Sequence, residues 1–229
     1  MKNILLLGGT GFIGKNVIDY FLCNSNVNII IVARNINRLD ENNLNSKRIT
    51  IKKGSISDFN FIKNIIIDYN VDVVVHLISS IISSSSSEDF YEEMENVIIP
   101  TFRIIDFICN DKVKFIFFSS GGTIYGKSNV KLHESNSLQP INYYGHSKLI
   151  IEDYIKFKNR TSNLLYLIIR PSNVFGKYQR VISQQGFIAV ATHKILNKEL
   201  LEIWGDGNAK RDFIDVYDLT EVLYSLLKM

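Results

Sequence analysis

The sequence predicts an α/β fold, a doubly wound parallel sheet with a partial, smaller C-terminal region, on three observations. Short apolar runs rich in β-branched residues alternate with longer stretches whose apolar residues recur every three or four positions, the pattern of βαβ units around a sheet buried on both faces. A glycine-rich turn joins the first such run directly to the first helical stretch. Hydrophobic residues make up 46% and charged residues 21% of 229, the balance of an ordinary globular chain. At roughly 150 residues per domain that length is about one and a half domains, enough for one large core.

The elements follow in order. Ile4 to Leu7 is the first strand, and Phe12 to Leu22 a helix whose Ile13, Val17 and Phe21 fall at helical spacing, as do Ile18 and Leu22. Asn28 to Val32 and Ile49 to Lys52 are the second and third strands, Phe59 to Asp68 the next helix and Val71 to Leu77 the fourth strand. The serine run Ser83 to Ser87 reads as a surface loop, since a linker there would cut the sheet in two. Glu92 to Cys109 predicts a long helix kinked or broken near Pro100, which has no N–H to donate. Val113 to Phe118 is a fifth strand, Tyr144 to Lys158 a helix and Leu164 to Ile169 a sixth strand. Beyond Arg170 the pattern loosens into a helix over Ile188 to Leu196, a short strand over Leu201 to Trp204, a Gly205-Asp206-Gly207 turn and a last helix from Leu219.

Lys plus Arg is 26 against 23 Asp plus Glu, and a net charge of +3 is too small to predict binding to nucleic acid or an anionic membrane. Cys23 and Cys109 lie in apolar helical patterns with no CxxC spacing or Cys/His cluster, so they are expected as two buried thiols in a reducing cytoplasm, with no metal site and no disulfide. Lys2 before Ile4-Leu5-Leu6-Leu7 imitates the start of a secretory signal, but the glycines that follow interrupt it. No apolar run reaches the ~18 residues of a membrane helix.

Gly8-Gly9-Thr10-Gly11-Phe12-Ile13-Gly14 carries the strongest chemistry. Glycines at 8, 11 and 14 allow a tight turn, approach of a pyrophosphate to backbone N–H groups and close packing of helix on sheet, while the helix N-terminus favours an anion. This predicts a dinucleotide in a Rossmann-type fold. At the end of the second strand, where such sites often place an acid for the ribose hydroxyls, the chain reads Val32-Ala33-Arg34-Asn35. Arg34 suits a 2′-phosphate, which favours NADP over NAD. Tyr144 and Lys148 stand four apart on one helix face. A tyrosine near pKa 10 must fall by about three units, roughly 4 kcal/mol, to act as a base at neutral pH. A neighbouring ammonium and an oxidised nicotinamide both push it that way.

The glycine motif, His76-Leu77-Ile78-Ser79, Asn96-Val97, the loop Ser119-Ser120-Gly121-Gly122-Thr123-Ile124-Tyr125-Gly126, Tyr144-x-x-x-Lys148, Arg170-Pro171-Ser172-Asn173-Val174-Phe175-Gly176 and Arg211-Asp212-Phe213-Ile214 occur in the order found in the extended short-chain dehydrogenase/reductases. The chain resembles their NAD(P)-dependent epimerase/dehydratase branch, to which UDP-glucose 4-epimerase belongs. The resemblance implies that Gly8, Gly11, Phe12, Ile13 and Gly14 hold the pyrophosphate, with Ser55 and Ile56 beside the adenine. It places Leu77, Ile78, Ser79 and Asn96 along the middle of the cofactor, with Ser119, Tyr144, Lys148 and Pro171 also on the cofactor side. It implies a nucleotide sugar, UDP-linked, met by Thr123, Tyr144, Asn173 and Arg211, and a homodimer. On this basis residues 1–170 are the dinucleotide-binding domain with its catalytic helix and residues 171–229 a partial substrate-binding region, the relatives' distal C-terminal lobe being absent.

Two positions depart from the family pattern. Ser55 replaces an aspartate, and Gly121 stands where many relatives carry the catalytic Ser or Thr. Thr123 is the nearest substitute hydroxyl and Ser120 the second, so the catalytic set is Tyr144, Lys148 and Thr123. His76 is read as structural, Asp212 as a neighbour orienting Arg211, and the Trp204–Gly207 turn as presenting Arg211. The activity implied is 4-epimerisation by transient hydride transfer through a keto-sugar. The alternatives are an NADPH-dependent reductase of a nucleotide-linked keto-sugar, or an NADP-binding regulatory protein without turnover; dehydration is disfavoured because the loop lacks an acidic pair.

Overall fold

Alternation along the strands decides the layering. In β1 (Asn3–Leu7), Ile4 and Leu6 join one buried cluster and Leu5 and Leu7 the other, all four fully shielded from solvent. A strand apolar on both sides must be covered on both sides. The computed structural model describes residues 2–39, 45–128, 130–181, 186–203 and 205–228, so Met1, Trp204 and Met229 lie outside the described residues.

Strands β1, β2 (Asn28–Ala33), β3 (Ile49–Lys53), β4 (Val73–His76), β5 (Lys114–Phe118) and β6 (Tyr166–Ile169) pair in parallel in the order β3-β2-β1-β4-β5-β6. This is the doubly wound Rossmann order, which reverses between β1 and β4. The helices are α1 (Phe12–Asn24), α2 (Phe59–Asp68), α3 (Ser87–Glu93), α4 (Ile99–Ile108), α5 (Tyr143–Ser162), α6 (Phe187–Leu196) and α7 (Val216–Lys228). Ile62 and Ile65 of α2, Ile104 and Ile108 of α4 and Ile151 and Ile155 of α5 pack on the face that carries Leu5, Leu7, Val74 and Phe117. Val17, Ile18 and Phe21 of α1 and Leu219, Leu223 and Leu227 of α7 pack on the opposite face. The last helix, expected from Leu219, begins at Val216 and belongs to the main core, with Tyr217 and Tyr224 within 5.2 and 5.8 Å of Tyr20, ring centre to ring centre.

The structure departs from the sequence reading in four places. The serine run is loop only in part: Ser86 accepts from the Asp89 N–H while the Asp89 side chain accepts from Ser86 N–H, a capping box that starts α3 at Ser87. The long helix thus begins five residues before Glu92, and the break foreseen at Pro100 takes the form of a π-helical turn over Met94–Ile98. Pro100 then sits in the first turn of α4, where its missing N–H costs nothing. Cys23 is exposed, while Cys109 is buried; Cys23 is one of the last two residues of α1, past Phe21, the last residue of the helix to be buried. Leu201–Ile203 forms no strand. A second, two-stranded parallel sheet is made instead by β7 (Asn173–Phe175) and β8 (Phe213–Asp215), three-residue strands too short to show a period in sequence.

Helix α1 rests on the glycine turn with no room to spare. A Cβ on Gly14 would stand 2.4 Å from the Gly8 carbonyl oxygen and 2.6 Å from Gly9 Cα. Gly14→Ala is expected to cost about 1–3 kcal/mol, read as a lower urea midpoint at unchanged slope; a midpoint equal to the parent's would mean that α1 can back away from the turn freely.

Candidate active site

The predicted cofactor residues gather at the C-terminal ends of the strands, around the reversal point. Gly8 has φ +91°, a left-handed conformation that favours glycine, and the Gly11 N–H closes the turn on the Gly8 carbonyl at 3.0 Å. Gly11 caps α1 without a side chain, so no side-chain oxygen occupies the N–H groups of the first turn at Phe12, Ile13 and Gly14. Leu77 and Ile78, following β4, close the other side: a Cβ on Gly8 would lie 3.2 Å from Leu77 Cβ and 3.3 Å from Ile78 N. A bare helix start lined by backbone on both flanks fits a pyrophosphate. Ser55 and Ile56 follow β3, joined to the end of β2 by the Gly54 N–H on the Ala33 carbonyl at 3.1 Å. Ser55 Oγ lies 2.8 Å from Ser57 Oγ, Ile56 is buried, and Arg34 is exposed at the β2 end.

Helix α5 carries the Tyr144 and Lys148 singled out in the sequence. Asn142 caps it by accepting from the Gly145 N–H at 2.8 Å. Gly145 lets the helix start press on the neighbouring loop, since a Cβ there would be 2.7 Å from the Thr123 carbonyl oxygen. Tyr144, Lys148 and Glu152 then recur every four residues along one face, with Lys148 and Glu152 buried. The Lys148 ammonium donates to the Ile78 carbonyl at 3.4 Å and lies 5.1 and 5.5 Å from the ring centres of Phe117 and Tyr144.

In the loop after β5, Ser120 is the hydroxyl near enough to Tyr144 to pull its phenol down, and Thr123 stands behind it, donating to Ser120 Oγ at 2.9 Å. Gly121 has a steric reason: its N–H donates to the Pro171 carbonyl at 2.7 Å, and a Cβ would lie 2.8 Å from the Arg170 carbonyl oxygen. Ser119 is buried at the end of β5, its N–H on the Ile169 carbonyl at 2.8 Å.

Three groups set the charge balance. Burial holds the Lys148 ammonium down to about 8, with Glu93 pulling the other way. Burial, and after it the Glu93 carboxylate, raise the Tyr144 phenol, while the Ser120 hydrogen bond lowers it. His76 is fully buried; its Nε2 faces Thr101 Oγ1 at 2.9 Å, and because that hydroxyl donates to the Val97 carbonyl, the imidazole is assigned with its proton on Nε2. Burial and the Lys148 charge push His76 down to about 3, so it is neutral, in keeping with a structural role.

Other predicted residues lie outside this cluster. Asn96 is in the π turn, exposed, its amide donating to the Glu92 carbonyl at 3.0 Å. Asn173 is exposed on β7 and donates to the Asp212 backbone carbonyl at 2.8 Å. Arg211 is exposed and donates to the Lys210 carbonyl at 2.8 Å. The sequence reading missed Glu93, which no local pattern distinguished from the exposed acids beside it. It also missed the Glu152–Arg170 pair; the four-residue spacing after Lys148 was the one available clue.

The chain matches the profile of the NAD dependent epimerase/dehydratase family over residues 4–229. It belongs to that family. Among its relatives, a Methanocaldococcus jannaschii protein to which UDP-glucose 4-epimerase activity is ascribed is 34% identical over 95% of this chain and 71% of that protein. The dTDP-4-dehydro-6-deoxyglucose reductase of Escherichia coli is 30% identical over 99% of this chain and 73% of that protein. The crystal structure of Thermotoga maritima UDP-glucose 4-epimerase with UDP-glucose superposes with a TM-score of 0.85 at 32% identity, covering 99% of this chain and 73% of that one. The curated relatives thus include epimerases, a reductase and 4,6-dehydratases. Among the described residues of this epimerase/dehydratase family member, no helix is long and apolar enough to cross a membrane.

His76 gives a pH signature with a definite sign. Unfolded, it takes a proton below about 6.5; folded, it refuses one until about 3. Stability is therefore fully present above the first value and falls as the pH drops through this window. Chemical denaturation at pH 7 and pH 5 is expected to show a larger loss for the parent than for His76→Gln; equal losses would place the proton uptake elsewhere.

Proposed function

We propose that the chain is an NAD(P)-dependent nucleotide-sugar 4-epimerase working through a keto-sugar, and that residues 1–170 with α7 form its cofactor side. The observation that carries this reading is the Tyr144–Lys148 pair on one face of α5, with the Ser120 hydroxyl on Tyr144 and the glycine turn across the strand ends. Gly8, Gly11, Phe12, Ile13 and Gly14 would hold the pyrophosphate, with Leu77, Ile78 and Lys148 along the middle of the cofactor. A bound NAD(P) supplies the acceptor, and then the donor, of the hydride on the sugar carbon.

Tyr144 takes the proton of the sugar hydroxyl as the carbon is oxidised and gives it back when the hydride returns. Ser120, which accepts a hydrogen bond from the Thr123 hydroxyl, favours the phenolate, so the two residues orient the oxygen at which the proton moves. Lys148 favours the phenolate through its charge. Asn173 and Arg211, near the small second sheet, are proposed to meet the nucleotide sugar, UDP-linked as in the Thermotoga enzyme. Arg211 has the donor geometry for a pyrophosphate.

A second reading, a reductase of a nucleotide-linked keto-sugar, is favoured by Arg34, exposed at the end of β2 where a 2′-phosphate would lie, and by the similarity to the E. coli reductase. The two readings separate by stoichiometry: an epimerase consumes no net NAD(P)H.

The chain is expected to convert UDP-glucose or UDP-N-acetylglucosamine to its C4 epimer, and Tyr144→Phe to lower turnover by about 10²–10⁴-fold. Full activity in that variant would remove Tyr144 as the base. Arg34→Leu is expected to weaken NADP binding about tenfold or more and leave NAD binding unchanged, measured by calorimetric titration; equal effects on both would remove the 2′-phosphate contact.

A further inference from the structure

Glu93 is a carboxylate only 1% exposed, at the junction of α3 and the π turn. Its oxygens accept from Ser79 Oγ at 3.1 Å, from Ser80 N–H at 2.8 Å and from Ser80 Oγ at close range. Both serines follow Ile78, whose carbonyl receives the Lys148 ammonium. A buried carboxylate without a cationic partner in direct contact is costly, and three donors on one turn are what make it tolerable. Nothing in the packing of α3 requires an acid here, since Met94, Val97 and Ile98 beside it turn apolar side chains to the core.

We propose that Glu93 is a positioning residue, which clamps the Ser79–Ser80 turn against α3 and through it fixes the Ile78 carbonyl that receives Lys148, so holding the Tyr144–Lys148 pair in place. The proposal rests on the reading of Tyr144 and Lys148 as the reactive pair. The titratable groups that face Glu93 are Tyr144 and Lys148, both on α5; His76 of β4 faces Lys148 and is neutral. The Glu93 charge acts on both partners in the same sense, raising the Tyr144 phenol and the Lys148 ammonium. Losing it moves both titrations to lower pH, a signature that a purely structural residue would not give.

The test uses the full chain labelled with ¹³Cε-lysine, with the Lys148 resonance assigned by its loss in Lys148→Arg. In the parent, Lys148 is expected to titrate near 8, apart from the other lysines. Glu93→Gln keeps the shape and removes the charge; its Lys148 midpoint is expected to fall, whereas Glu93→Asp, which keeps the charge, stays with the parent. If the amide variant does not fold, Glu93→Met carries the same comparison. An unchanged midpoint in the folded Gln or Met variant, or equal falls in Gln and Asp, overturns the proposal. With a sugar-nucleotide substrate, Glu93→Gln is expected to lose kcat by about tenfold at little change in KM, with both limbs of the pH profile moved to lower pH. The lysine titration needs no turnover, so a chain without epimerase activity would defeat the functional reading and leave this measurement to judge Glu93.

Discussion

One buried ion pair fixes the geometry on which Tyr144 and Lys148 depend. The Glu152 carboxylate, fully shielded, takes two bonds from Arg170, at 2.8 Å from Nε and 2.6 Å from Nη2. Burial is the largest single effect and by itself would raise the Glu152 carboxyl, but the Arg170 hydrogen bonds and charge, with Ser119 and Lys156 beside them, together hold the carboxyl below its ordinary range. The remaining guanidinium nitrogen reaches the Tyr125 hydroxyl at 2.8 Å and the Glu134 carbonyl at 3.2 Å. A single planar cation thus joins α5, the end of β6, the loop after β5 and the segment leading into α5. Because Tyr144 and Lys148 precede Glu152 by two turns and one turn on the same helix, the pair sets the rotation of α5 and with it where the phenol and ammonium point. A buried pair of this kind adds little net stability over apolar packing but is expensive to break, by about 3–5 kcal/mol, which suits a part that must hold one orientation.

Around that anchor the site stores its proton. The phenol of Tyr144 is raised above its ordinary range, the ammonium of Lys148 is lowered, and His76 carries no charge. Each shift has burial as its largest cause, and each favours the neutral form. A pair buried this way is a poor base until a cation arrives beside it. On the proposed reading, the oxidised nicotinamide of a bound cofactor would be that cation.

The fold was legible almost throughout because a sheet covered on both faces writes itself as apolar runs, and the glycine turn marked where the first strand hands over to α1. Phe59 to Asp68 was readable to the residue, since Asp58 accepts from the Phe61 N–H and gives the helix a sharp start. What escaped was structure without period. The three-residue strands β7 and β8 pair across almost forty residues, and the capping box of Ser86 and Asp89 was hidden inside a run of identical serines. At the site, the spacing of Tyr144 and Lys148 could be read from one helix. Which hydroxyl meets the phenol depends on how a loop closes on β6, and a loop's hydroxyls carry no spacing that says which of them points inward. Glu93 was illegible for a similar reason: its surroundings come from Ser79 and Ser80, more than ten residues away in sequence.

The absence of a side chain at Gly121 constrains how this chain can change. Its Cα lies so close to the carbonyls of Arg170 and Pro171 that any added carbon displaces the link between β6 and β7. Arg170 sits in that link, so placing a hydroxyl side chain at position 121 would disturb the same arginine that orients α5. The loop chemistry and the helix anchor are therefore not independently adjustable. A serine or threonine at 121 could be accommodated only by rebuilding the β6–β7 connection at the same time.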